Sequence, residues 1–288
     1  LTNNVRPNPD VNTSTRYPYF ALAAQREQQK DPEQANRQSG IRPAAHLFVR
    51  QNGAMCGRYV MSKATGDLLS AFDAKEVEGS PPPPSWNVAP TQDVPIIAER
   101  FDEGTLDRHL LIARWGLVPS WAKDLKIGSR LINARSESFL EKPAFRKAAV
   151  KRRALIPAEG YYEWQKTEDG KKIPNYLYSE KQDLLAFAGL YEFWPDPSLP
   201  EDDPGRWLLS CTVLTTTAHD SFGHVHDRAP VIIPPEMYGS WLNPETTEKD
   251  AIQRLLDTIP EPVLTPRIVS DRVNSVRNNG PELIEPAS

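Results

Sequence analysis

A chain of 288 residues with 39% hydrophobic and 25% charged side chains has an ordinary globular composition and enough length to bury a full core. Its net charge of −4 excludes wholesale coating of nucleic acid but leaves room for a local basic groove, because binding follows where charges lie rather than their sum. Two cysteines, Cys56 and Cys211, are too few for a disulfide framework, and no apolar run reaches the roughly 20 residues that a spanning helix needs.

In chain order, residues 1–54 are rich in Asn, Gln, Arg and Pro with only short apolar patches, so they read as a disordered extension that cannot offset its ordering entropy. A single domain is expected over residues 55–288. Its first predicted helix covers 64–72, after Ser62 as a candidate N-cap. A stiff proline connector at 81–84 follows. Strand-like runs come next at 94–98 and 110–114, then a helix at 143–150, then strands at 153–156, 161–164, 176–178 and 185–190. An acidic, proline-rich excursion at 196–204 precedes a strand at 208–215, and helices at 235–241 and 249–256 complete the pattern, the last after Thr246 and Thr247. There is no repeat and no second core. Short strands between turn residues with few helices predict an α+β fold, with a mainly antiparallel, partly closed, barrel-like sheet and a few flanking helices.

Met55 and Cys56 look like a second beginning within the chain. If Cys56 is N-terminal, its amine and thiol sit on adjacent carbons, and this 1,2-aminothiol can condense with an aldehyde and close a thiazolidine ring. An internal cysteine cannot do this, because its nitrogen lone pair is delocalised into the amide.

Polar and aromatic segments occur where a simple core would be apolar. They are Met55-Cys56-Gly57-Arg58, Trp86-Asn87-Val88-Ala89-Pro90, Trp115-Gly116-Leu117-Val118-Pro119-Ser120-Trp121, Leu131-Ile132-Asn133-Ala134-Arg135-Ser136-Glu137, Ile156-Pro157-Ala158-Glu159-Gly160-Tyr161-Tyr162-Glu163-Trp164, His224-Val225-His226-Asp227-Arg228-Ala229-Pro230-Val231 and Val273-Asn274-Ser275-Val276-Arg277-Asn278. In this order they resemble the SOS response-associated peptidase family, whose members crosslink covalently to abasic sites in single-stranded DNA. The resemblance implies that Cys56 is the nucleophile, Asn133 positions its amine, Glu163 is the acid/base carboxylate and His226 helps to open the sugar ring. It also implies that Arg58, Asn87, Pro90, Trp121, Arg135 and Thr215 contact the strand around the lesion. One departure stands beside Trp121, where some members have a second aromatic and this chain has Ala122.

The implied chemistry suits these residue types. Imidazole has an unperturbed pKa of about 6.5 and an α-amine about 8, so both can exchange protons near neutral pH, with a carboxylate as shuttle. The family's peptidase name implies that the bond before Cys56 is cut, so that residues 1–54 are absent from the active protein. The implied partner is single-stranded DNA with abasic sites, met by a monomer in the cytoplasm near the nucleoid and away from membranes. No cofactor is expected. A zinc site from Cys211, His219, His224 and His226 lacks a second cluster to support it, so no metal is expected either. Two alternatives remain open: a plain cysteine peptidase using Cys56, His226 and Asn133, and a noncatalytic single-stranded DNA binding module. The basic run from Lys142 through Arg146, Lys147, Lys151, Arg152 and Arg153 is a candidate phosphate track or a solvated helix face.

Overall fold

The structure, a computed structural model, describes residues 57–102, 104–218 and 227–287. The readings for residues 1–54, Cys56 and His226 therefore lie outside the described residues. In chain order the elements are β1 (Tyr59–Met61), α1 (Thr65–Phe72), β2 (Val77–Glu78), β3 (Ser85–Val88), β4 (Asp93–Asp102), β5 (Thr105–Trp115), β6 (Asn133–Arg135), α2 (Arg146–Lys151), β7 (Arg153–Ala158), β8 (Gly160–Lys166), β9 (Lys172–Tyr178), β10 (Leu185–Pro195), β11 (Trp207–Thr217), β12 (Arg228–Pro230), α3 (Tyr238–Leu242), α4 (Lys249–Asp257) and β13 (Thr265–Ile268).

The strands form two sheets. The larger runs β12-β11-β10-β7-β4-β5-β2, with β6 added beside β11. It closes on itself, because β5 also pairs in parallel with β11 through Ser210 opposite Arg114 and Cys211 opposite Trp115. β4, β5, β7, β10 and β11 thus make a five-stranded barrel, and closure removes the sheet edges that would otherwise expose unpaired backbone. The smaller sheet runs β13-β9-β8-β1-β3. The expected α+β, largely antiparallel fold is present, and every strand expected from the sequence is found, most of them longer at both ends. The extensions are polar or exposed, as at Asp93, Glu99 to Asp102 and Thr105 to Arg108 in the β4–β5 hairpin, where alternation no longer marks them.

Two helix starts differ from expectation. α1 is preceded by Ala64 with no side-chain cap, and Ser62 instead donates its main-chain N–H and its hydroxyl to Glu159 Oε2 at 2.5 and 2.7 Å. That pair fastens the end of β1 to the turn between β7 and β8. Thr246 and Thr247 do not cap α4 either; Glu248 holds that position without a side-chain bond. Leu68 and Phe72 anchor α1, with Phe72 stacked on Tyr238 of α3 at 5.4 Å.

A hub of aromatic rings joins the barrel to the smaller sheet. Tyr59 of β1 meets Trp115 of β5 at 5.3 Å and Phe187 of β10 at 5.9 Å, and Tyr161 of β8 meets Phe187 at 5.9 Å, all edge to face. Each such pair contributes about 0.5–1.5 kcal/mol beyond its buried area. Within the excursion at residues 197–206, Arg206 Nη1 donates to the Leu199 carbonyl at 2.5 Å and Gly205 N–H donates to Asp203 Oδ1 at 2.7 Å.

Candidate nucleic-acid site

Glu163 is 3% exposed in β8, a rare fate for a carboxylate and one that points to a specific task. Its strand is locked to β1 by Tyr161 opposite Tyr59. Tyr162 N–H extends that ladder toward the start of β1 by donating to the Arg58 carbonyl at 2.9 Å. The next residue of β8 is Glu163, so the carboxylate sits beside the strand that begins three residues after Cys56.

Asn133 arrives from the barrel side. It opens β6, where it pairs with Val213 of β11, and it is half-buried. The segment before it is bound to the hub: Trp115 Nε1 donates to the Ile132 carbonyl at 2.9 Å, and Leu117 N–H donates to the Leu131 carbonyl at 3.1 Å. Two glycines permit this approach. A Cβ on Gly116 would lie 2.6 Å from the Gly128 carbonyl oxygen, and one on Gly128 would lie 2.5 Å from that of Gly116. Gly116 also has φ of +129°, which other residues rarely adopt. The Asn133 and Glu163 segments are therefore linked through one chain of rings, Trp115, Tyr59, Phe187 and Tyr161.

Arg58 and Asn87 form the next layer. Arg58 Nη1 donates to Asn87 Oδ1 at 2.7 Å and to the Val273 carbonyl at 2.8 Å. Asn87 Nδ2 donates to the carbonyls of Ser275 and Asn278 at 3.0 and 2.9 Å, and its side chain is 2% exposed. Asn87 thus spends its amide inside the protein, holding the C-terminal turn against Arg58, and Trp164 Nε1 secures the same turn through Asn274 Oδ1 at 2.7 Å. Thr215 is likewise fully buried, whereas Arg135 is exposed, Pro90 half-buried and Trp121 56% exposed.

Behind Asn133 and Arg135 lies a pair with no role in the resemblance. Arg228 donates through Nη1 to Glu137 Oε1 at 2.5 Å and through Nη2 to Glu137 Oε2 at 3.0 Å. The Arg228 guanidinium holds the Glu137 carboxyl down at about 2. A cleft of about 370 Å³ opens alongside, lined by Ser136, Tyr161, Thr216, Thr217 and Pro230 among others. A larger cavity of about 480 Å³ under the 81–84 proline connector contains none of the residues implied by the resemblance.

The sequence profile described as SOS response associated peptidase (SRAP) matches residues 55–276. The chain belongs to the SRAP family. It is 42% identical over 233 residues to the abasic site processing protein YoqW of Bacillus subtilis, covering 80% of this chain and 99% of that protein. It is 30% identical over 267 residues to the abasic site processing protein HMCES of Xenopus tropicalis, covering 79% of this chain and 77% of that protein. A crystal structure of a Bacteroides thetaiotaomicron protein shares the fold with a TM-score of 0.66 at 24% identity, over 81% of this chain and all of that one. One from Bordetella bronchiseptica has a TM-score of 0.59 at 26% identity, over 75% of this chain and all of that one.

Within this SRAP chain Ala122 is 8% exposed and packs with Val118 and Trp194, so it faces a small core while Trp121 faces solvent. The basic run divides in two. Arg153 is buried and donates to the carbonyls of Trp241 and Ala149, with burial lowering its pKa to about 10, and Arg152 is paired with Glu192 at 2.9 Å. Both are structural, which corrects their reading as phosphate contacts; Lys142, Arg146, Lys147 and Lys151 are exposed. Among the described residues one trio could offer ligands to a cation, Glu76, Glu78 and His109. Arg100 already brings positive charge there, bonded to Glu78 and with its Nη2 3.4 Å from His109 Nδ1. No helix among the described residues is long and apolar enough to cross a membrane. Glu137 stands in one of the quoted runs, but its pairing with Arg228, 91 residues along the chain, leaves no periodic signal in the sequence.

Proposed function

We propose that this protein processes abasic sites in single-stranded DNA, capturing the exposed aldehyde with Cys56 as the N-terminal residue. The reading is supported by the 42% identity across nearly the whole of an abasic site processing protein. The observation that carries it is the buried Glu163 on a strand register-locked to the one that follows Cys56.

In this reading His226 gives a proton to the ring oxygen of the deoxyribose as the C1–O bond breaks, the C1 hydroxyl gives its proton to water, and the aldehyde is released. The Cys56 amine attacks the carbonyl carbon while Glu163 takes a proton from the nitrogen. Glu163 returns that proton to the carbinolamine hydroxyl, which leaves as water, and an iminium remains. The Cys56 thiolate adds to the iminium carbon, forms the C–S bond and closes a thiazolidine. Asn133 orients the amine. The product consumes the protein, so the activity is self-limited. The bond before Cys56 must first be hydrolysed, which is the role proposed for the family's peptidase activity. Arg58 and Arg135 offer charge to the backbone, and Pro90 and Trp121 offer apolar surface to flanking bases. Asn87 and Thr215 act from behind them. Stacking on an aromatic contributes about 1–3 kcal/mol per base and tolerates any sequence. A monomer acting on DNA in the cytoplasm completes the proposal.

The test is a denaturing gel. Protein beginning at Cys56 is incubated with a uracil-containing oligonucleotide treated with uracil glycosylase, and a band of retarded mobility is expected. Its absence sinks the proposal. Loss of the band in Cys56→Ala, and in protein with an uncleavable tag before Cys56, separates aminothiol chemistry from that of a plain thiol. Peptide hydrolysis that survives the tag would favour an ordinary cysteine peptidase.

A further inference from the structure

We propose that Glu137 is a positioning residue for the crosslinking reaction, acting through Arg228 to hold three strands of the site in one register. The inference rests on the function proposed above. Three strands meet at Thr215, which lies opposite Arg135 of β6 on one side and Pro230 of β12 on the other. Its carbonyl accepts two bonds that bind these neighbours together, from Ser136 N–H at 2.9 Å and from Arg228 Nη2 at 2.5 Å. Arg228 Nη1 also reaches Thr217 Oγ1 at 3.3 Å. Glu137 closes the assembly by accepting the remaining face of the guanidinium with both oxygens, while Thr217 Oγ1 donates to its Oε1 at 3.4 Å.

The asymmetry of burial makes Glu137 the controlling partner. The Arg228 side chain is 9% exposed and the Glu137 side chain 48%. A guanidinium keeps its charge at any working pH, so removing the carboxylate takes away its two-point charged acceptor and loosens the position it holds. A loosened guanidinium weakens its bond to the Thr215 carbonyl and with it the tie from β12 to β6, the strand that carries Asn133 and Arg135. A two-point fork fixes direction as well as distance, as an ammonium or a single bond could not. The cleft beside it contains Ser136, Thr217 and Tyr161, and Tyr161 is two residues from Glu163. A shift in the fork therefore moves β6, which begins at Asn133, and disturbs the cleft that Tyr161 of the Glu163 strand lines.

The test uses the chain expressed from Met55, the part that corresponds to nearly all of the 42% identical relative. Single-turnover crosslinking is followed at saturating protein on an abasic oligonucleotide, and binding is measured separately on one carrying a tetrahydrofuran abasic analogue. Glu137→Ala is expected to slow the crosslinking rate constant at least tenfold while changing binding less than threefold. Glu137→Gln, which keeps the shape and one acceptor, should recover part of the rate and stands in if the alanine variant does not fold. Glu141→Ala, which removes an exposed carboxylate paired with Lys249 nearby, should leave the rate unchanged. A wild-type rate in both Glu137 variants overturns the inference, as does a loss confined to the fraction of active protein. If wild-type protein forms no crosslink, the proposed function falls and this inference with it.

Discussion

Gly128→Ala tests how tightly the Asn133 segment is pinned. The new methyl would sit 2.5 Å from the Gly116 carbonyl oxygen and 3.1 Å from Val118 Cγ2, and real contacts essentially never fall below 3.0 Å. The Gly128 and Gly116 backbones must then separate by roughly half an ångström, and overpacking of this kind costs about 1–3 kcal/mol. Gly128 lies outside the positive-φ region, so alanine is not strained and recovers at most about 1 kcal/mol through lower chain entropy. A net loss of about 1–2 kcal/mol predicts a Tm lower by about 3–6 °C for a domain of this size. Thermal unfolding followed by circular dichroism measures it, with the crosslinking rate recorded alongside. The separation falls between Trp115 and Ile132, so the rate should drop as well. Gly66→Ala is the control, since nothing lies within 4 Å of its Cβ position; it should leave Tm unchanged or slightly raised. A Gly128→Ala variant as stable as wild type would refute the claim that the two backbones are in contact.

Tyr59→Phe should stabilise the protein by about 1 kcal/mol in denaturant unfolding, because the Tyr59 hydroxyl is buried with no partner among the described residues and its desolvation is uncompensated. A destabilised variant would show that the hydroxyl has a partner. Cys211 is fully buried and burial pushes its thiol pKa up, so native protein treated with iodoacetamide should carry no label at Cys211 by peptide mass spectrometry, and Cys211→Ser should still crosslink. Acid should expose the Glu137 contribution. Its folded pKa of about 2 lies below the ordinary 4.5, so the stabilisation is complete above pH 4.5 and is lost as pH falls toward 2. Because half the side chain faces water, screening reduces the effect to about 1 kcal/mol, and Glu137→Gln should flatten the stability profile in that window by this amount.

Strands and helices with a buried face were legible in the sequence, because burial imposes periodicity on residues such as Ile96, Leu110, Phe187 and Val213. The short strands β1, β2, β3, β6, β12 and β13 were not, since two to four residues cannot display a period. The candidate site was read from ordered wording rather than pattern, and so its buried supports were misjudged. Arg152 and Arg153 read as surface charge because composition does not reveal an ion pair with Glu192 or carbonyls from α3. Ser62 read as a cap because the carboxylate it serves, Glu159, is distant in the chain.

The parallel seam between Trp115 and Cys211 has a consequence for when the protein acquires its chemistry. These partners are roughly a hundred residues apart, so the seam is a late, entropically costly contact in folding. β6 and β12 both attach to β11, the strand that supplies Cys211 to that seam and is itself laddered to β10. Synthesis must therefore run past Thr217 before the strand that carries Asn133 and Arg135 has its partner in the barrel.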